Sequence, residues 1–268
     1  MLQRDQGTHG TVNGMRLMVL GCSGSVGGPE AACSGYLLSA DDHRPLLLDC
    51  GPGVMGELQK HVDPNDVDVM LSHLHADHCM DLPAMLVWRR YAPTPATERA
   101  LLYGPPGTAL RIGAGSSEIP GEIDDISDTF EFREWVDGGD VTINGFDIRS
   151  TRVNHPPETY GLRITGPGGQ VLAFSGDTGV CDELIDVAAD ADIFLCEASW
   201  THSPDRPPNL HLSGVEAGEA ATKAGVRLLA LTHIAPWASA EEILTEARST
   251  FAGPIEIVRP GQVFDIGR

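Results

Sequence analysis

Leu71-Ser72-His73-Leu74-His75-Ala76-Asp77-His78 packs four nitrogen and oxygen donors into six residues. The apolar run over 68–72 just before it predicts a short strand. His73 and His75, two positions apart at a strand end, project to the same side. Asp77 and His78 follow where the spacing of Leu82, Met85 and Leu86 predicts a helix over 77–90, with Pro83 tolerable near its first turns. Four ligands from so short an arc would crowd a single tetrahedral ion. They suit two borderline divalent cations such as zinc, and manganese or iron can occupy the same donors.

Three more donors stand in comparable places. His155 follows the predicted strand FDIRSTRV, Asp177 follows VLAFSG, and His233 follows RLLALT. Each alone is as easily an ordinary loop residue. Their shared placement just beyond apolar strands lets one sheet edge gather all seven side chains.

The remaining pattern is strands with helices interspersed. MRLMVLG (15–21) predicts the first strand and leads into the glycine-rich loop CSGSVGG (22–28), followed by a hairpin turning at Asp41–Arg44 and a helix over 54–61. Residues 92–128, rich in Pro, Gly, Ser and Asp, hold one strand, ALLYG, and up to two short helices. Five strands then follow in quick succession to Gly176, turning at Asn144-Gly145 and at 166–169. The last third alternates helices over 182–189, 214–224 and 240–251 with strands DIFLCE, RLLALT, IEIV and QVFDI. Ser213/Glu216 and Ser239/Glu242 have the spacing of capping boxes. Mixed sheets covered by helices on their outer faces satisfy this order. One domain over 1–268 is expected, with a flexible polar leader over 1–13.

Composition narrows the partners. Acidic residues outnumber basic ones 38 to 18, for a net charge of −20. Such a surface repels phosphate backbones and anionic lipid, which argues against a large nucleic-acid footprint. Lys60 and Lys223 are the two lysines, and the basic doublet Arg89-Arg90 is expected to face solvent. No apolar run approaches the roughly 20 residues that span a bilayer, and the first residues lack a secretory apolar stretch. The six cysteines show no C-x-x-C pairing, and Cys50 and Cys196, at the ends of apolar runs, read as buried reduced thiols. A cytoplasmic protein without a membrane role is expected.

H-x-H-x-D-H, a later strand-end His, Ser175-Gly176-Asp177-Thr178 and the final Leu231-Thr232-His233 resemble the metallo-β-lactamase fold of metallo-hydrolases over nearly the whole chain. The resemblance implies an αββα sandwich with the metals at one edge of its sheets. It assigns His73, His75 and His155 to one ion, Asp77, His78 and His233 to the other, and Asp177 as the bridge, with Asp77 belonging to the catalytic set as well. A β-lactamase proper is disfavoured, since Cys would be usual among the ligands of its second metal and no bridging Asp is expected. The flavodiiron branch would carry Glu at the position of His75.

Glu197-Ala198-Ser199-Trp200 and His211-Leu212-Ser213-Gly214 resemble the Glu-Ala-Thr and His-Ser-Thr elements of the RNase Z-like phosphodiesterase branch, with Ser199 in place of the more usual Thr. The resemblance makes Glu197 the orienter of His211, and His211 the general acid toward the departing oxygen. Many tRNA 3′-end endonucleases of this branch carry a long arm between the third metal His and the bridging Asp. Here Asp177 follows His155 by only 22 positions, filled by one hairpin, which leaves no room for it. The runs LSHLHADHCMDLP, FSGDTGVCDEL and FLCEASWTHSP look most like the atypical class II cyclic-nucleotide phosphodiesterases of actinobacteria. That likeness implies 3′,5′-cyclic AMP as substrate, 5′-AMP as product, in-line attack by a hydroxide shared between the metals, and a homodimer. A tRNA-directed nuclease and a thioester or lactone hydrolase of the same fold are the alternatives. Trp200 and Trp237 are candidates for stacking on a base, and Ser23 and Ser25 for contact with phosphate.

Overall fold

A computed structural model describes residues 14–267; the expected leader over 1–13 lies outside them. The first sheet is built from β1 (Met15–Ser23), β2 (Ala32–Cys33), β3 (Gly35–Ala40), β4 (Leu46–Leu48), β5 (Asp68–Met70), β6 (Ala100–Gly104) and β7 (Phe130–Glu134). The second takes β8 (Gly139–Ile143), β9 (Phe146–Arg152), β10 (Tyr160–Thr165), β11 (Val171–Phe174), β12 (Ile193–Glu197), β13 (Leu229–Thr232) and β14 (Ile255–Ile257). The last strand, β15 (Val263–Ile266), returns to the first sheet and pairs with β1.

Both sheets follow one plan. Antiparallel hairpins come first (β1-β3-β4, then β8-β9-β10-β11), and strands joined by crossovers extend each sheet in parallel (β4-β5-β6-β7, then β11-β12-β13-β14). Composition matches the pairing. The hairpin strand β9 alternates buried Phe146, Ile148 and Ser150 with exposed Asp147 and Arg149, whereas the central parallel strand β12 is buried throughout.

Helices cover the outer faces. The first sheet carries α1 (Val54–Leu58), α2 (Ala76–Cys79), α3 (Leu82–Tyr91) and α4 (Thr108–Ser116) over a core that includes Leu47, Val69, Leu82, Met85 and Ile112. The second carries α5 (Asp182–Ala188), α6 (Gly214–Ala224) and α7 (Ala240–Thr250) over Phe194, Leu229, Ala221 and Ile243. Between the sheets, Leu17, Tyr36 and Leu38 meet Ile148, Leu162 and Phe174. The layers are therefore α, β, β, α. Helices α6 and α7 pack closely because a Cβ on Gly218 would lie 2.2 Å from Thr250 Oγ1.

Several expectations change. The helix expected over 77–90 is two helices, because Pro83 lacks an N–H and serves in the first turn of a new helix, where that donor is not needed. The intervening Asp81 turns inward and accepts the Met55 N–H at 2.9 Å. Among the described residues, 92–128 hold one helix, α4, and the unpredicted β2 pairs with β1. The capping box at Ser213/Glu216 is complete, while Ser239 only accepts from the Glu242 N–H. The arginine doublet does not face solvent as a pair. Arg89 is buried and donates to the carbonyls of Pro64, Asn65 and Glu98, and Arg90 pairs with Asp124 and Asp128. All six cysteines are unpaired, and burial pushes the thiols of Cys50 and Cys196 well above their ordinary value. Among the described residues no helix is long and apolar enough to cross a membrane.

Candidate active site

The seven predicted donors converge at one edge of the sandwich. His73 follows β5, Asp177 follows β11 and His233 follows β13, so each leaves the C-terminal end of a parallel strand, where crossover topology opens a crevice. His75, Asp77 and His78 lie at the start of α2, and His155 lies just past β9. Two groups result, each with its donor atoms within 4.8 Å of one another: His73, His75, His155 and Asp177, and Asp77, His78, Asp177 and His233. Asp177 belongs to both. Its Oδ2 stands 3.5 Å from His73 Nε2, 4.0 Å from His155 Nε2 and 3.5 Å from His233 Nε2.

Hydrogen bonds on the far side of four of the five rings set which nitrogen faces inward. His155 Nδ1 donates to the Leu210 carbonyl at 2.7 Å, leaving Nε2 with a lone pair. Ser72 Oγ donates to Asp49 Oδ2, so it receives the Nδ1 proton of His73, 3.0 Å away. His78 Nδ1 lies 2.8 Å from Asp49 Oδ2, and His233 Nδ1 lies 2.7 Å from Ser199 Oγ. The inward nitrogens crowd: His78 Nε2 is 3.1 Å from His233 Nε2, and His155 Nε2 is 3.2 Å from His75 Nδ1. Lone pairs converging at such distances call for a cation between them. His73 Nε2 is buried with no hydrogen-bond partner, and Asp177 Oδ1, 3.3 Å from His78 Nε2, is aimed too poorly to bond it. These residues fit two divalent ions.

Electrostatics divide the rings: at His78 burial works downward, but Asp177 and Asp49 outweigh it and raise the imidazole well above its ordinary value, so a bound cation would displace that proton. Burial disfavours the charged imidazole, holding His73 well below its ordinary value and pushing His155 down to about 4. For Asp177 burial works the other way, but the surrounding imidazoles, His233 and His78 foremost, outweigh it and hold the carboxyl well below its ordinary value.

Beside the second group lies the other predicted pair. His211 Nδ1 is 3.0 Å from Glu197 Oε1, which also accepts the Thr178 N–H at 2.7 Å. Burial would lower His211, yet Glu197 and then Asp177 outweigh it and push the imidazole up to about 9. The Trp200 ring meets His211 edge-on at 5.1 Å. Trp237 is exposed (68 %) on the loop after His233. In the glycine-rich loop, the Ser23 hydroxyl is spent on the Val26 carbonyl at 2.7 Å, while Ser25 points its backbone N–H at His233 Nε2, 3.4 Å away. Gly24 permits that approach, since a Cβ there would lie 2.2 Å from the His233 carbonyl oxygen.

Asp49 escaped the sequence reading. It is fully buried and steadies His78 directly and His73 through Ser72. Its signal was the one that marked the other acids: it closes an apolar strand, LLLDC.

A family model described as the beta-lactamase superfamily domain matches residues 44–234. An uncharacterized Mycobacterium leprae protein is 60% identical over 96% of this chain and 91% of its own. The probable metallo-hydrolase YhfI of Bacillus subtilis is 28% identical over 94% of this chain and its entire length, and its crystal structure superposes with a TM-score of 0.81 over 94% and 99% of the two chains. Ribonuclease Z of Myxococcus xanthus is 26% identical over 92% of this chain and 96% of its own.

Proposed function

Since the chain belongs to the metallo-β-lactamase superfamily, whose relatives mark it as a metal-dependent hydrolase, we propose that it cleaves phosphodiesters, and small cyclic ones in particular: 3′,5′-cyclic nucleotides such as cyclic AMP, opened to the 5′-monophosphate. The observation that carries this reading is the His211–Glu197 pair set beside the metal donors. A ribose 3′-oxygen departs poorly as an alkoxide and needs a proton, whereas a thiolate does not.

Two divalent cations, with zinc the foremost candidate, would lower the pKa of a water and offset charge developing on the phosphoryl group. The chain's own residues do the rest. His211 Nδ1–H donates to Glu197, which fixes the tautomer and leaves the Nε2 proton as the one to be given to the leaving oxygen. The Thr178 N–H holds the carboxylate in place. Trp200 packs against the imidazole and is the better placed of the two tryptophans to meet a base.

The Myxococcus relative's name, ribonuclease Z, brings RNA as a second substrate class. Against it stand the net charge of −20 and the single β10–β11 hairpin between His155 and Asp177. The six unpaired cysteines support work in a reducing compartment, the cytoplasm.

The test is hydrolysis of cyclic AMP by metal-loaded protein, with products separated by chromatography and Asp177→Ala as blank. Formation of 5′-AMP that disappears in the blank is expected. No turnover with two metals bound would sink the cyclic-nucleotide reading, and steeply salt-dependent RNA binding would replace it with the nuclease.

A further inference from the structure

Between β12 and α6 the chain runs through a loop, residues 201–210, containing Pro204, Pro207 and Pro208, and it delivers His211 to the site. The loop is tied at both ends. The His202 N–H donates to Glu246 Oε1 at 2.7 Å, and His202 Nδ1 lies 3.0 Å from Ser213 Oγ. At the far end, Leu210 gives its carbonyl to the metal-site ring of His155.

Asn209 Oδ1 accepts from Asn154 Nδ2 at 3.1 Å, and Arg206 holds the stretch between. Arg206 donates from Nε to the Ser203 carbonyl at 3.2 Å, from Nη1 to the His211 carbonyl at 3.3 Å, and from Nη2 to Glu216 Oε1 at 2.7 Å. Its side chain and that of Glu216 are only 15% and 18% exposed. Glu216 is itself fixed, because its Oε2 accepts the Ser213 N–H at 2.8 Å in the capping box. A guanidinium fork can serve three acceptors in one plane, which an ammonium cannot. The two peptide groups that flank His211 are thus both gripped, 211–212 by Arg206 and 210–211 by His155.

We propose that Arg206 is the positioning residue of the general acid: by anchoring the loop to α6 and holding the His211 carbonyl, it keeps the imidazole within reach of Glu197 and of the departing oxygen. This rests on His211 being the acid, and the experiment separates the two claims.

Two substrates are compared, cyclic AMP, whose leaving alkoxide needs a proton, and bis(p-nitrophenyl) phosphate, whose phenolate leaves without one. His211→Ala should lose about 10²–10⁴-fold in kcat on cyclic AMP and little on the aryl ester. Arg206→Ala should show the same split, smaller in size, with KM nearly unchanged. Added guanidinium should restore part of the rate. Arg206→Lys, which keeps the charge and safeguards folding, should fall between wild type and Arg206→Ala. In metal-free protein, amide hydrogen exchange over 201–211 should quicken in Arg206→Ala while α6 and α7 keep their protection. A normal split in His211→Ala with none in Arg206→Ala, or unchanged exchange in the loop, overturns the assignment of Arg206. Equal losses on both substrates in His211→Ala overturn the acid role itself.

Discussion

Ser199 joins two parts of the site that look separate in sequence. Its Oγ lies 2.7 Å from His233 Nδ1 and 3.0 Å from Glu197 Oε2, while the other oxygen of Glu197 faces His211. One carboxylate therefore steadies a metal-facing ring and the proposed acid together. Groups that orient a ligand in this way are worth about 10–100-fold in metal affinity. Ser199→Ala should weaken binding of one of the two ions by that order, read by titrating metal into apoprotein. Ser199→Thr, which keeps the hydroxyl, should restore it if the buried position accepts a methyl group. A Ser199→Ala protein that binds both ions as wild type does would break the link. The residue types were legible beforehand, because His, Asp and Glu at strand ends advertise their chemistry. Asp49 and Arg206 were not singled out, since an acid after LLL and an arginine among prolines acquire meaning only once the folded chain brings their partners beside them.

Among the elements, α6 was predicted to the residue because both its ends carry local chemistry: the Ser213/Glu216 box, and Gly225 in the left-handed conformation with φ 68°. The 77–90 segment failed at Pro83, where the apolar spacing runs on across a break that the backbone imposes. The box also yields a pH dependence. Burial would raise Glu216, but the Arg206 guanidinium and the Ser213 N–H outweigh it and hold the carboxyl below its ordinary value of 4.5. The folded state then binds that proton more weakly than the unfolded chain does, so the stabilisation is complete above 4.5 and fades as pH falls from there toward the lowered folded value. Glu216→Gln should therefore lower Tm at pH 7, and the deficit should shrink as pH falls below 4.5. A deficit independent of pH, in thermal melts across that range, would assign the loss to packing.

At the scale of the whole molecule, the site is a seam between two halves built on one plan. His73 and His75 from the first half face His155 from the second, and Asp77 and His78 face His233, with Asp177 between them. Bound ions would fasten one half to the other. Removing them with a chelator should lower Tm, since a ligand at 100 times its Kd stabilises by about 2.7 kcal/mol, and adding them back should restore it. A melt indifferent to chelation would mean that the halves hold together without the ions. The last strand contributes to the same union at the opposite end of the chain, where Ile266 of β15 pairs with Met15 of β1 in antiparallel register. The two extremities of the described chain therefore lie side by side at one end of a ribbon. A mechanical pull on them would not shear the ribbon as a block; it would peel β15 from β1 like a zip, one rung at a time, however firmly the two sheets are packed together.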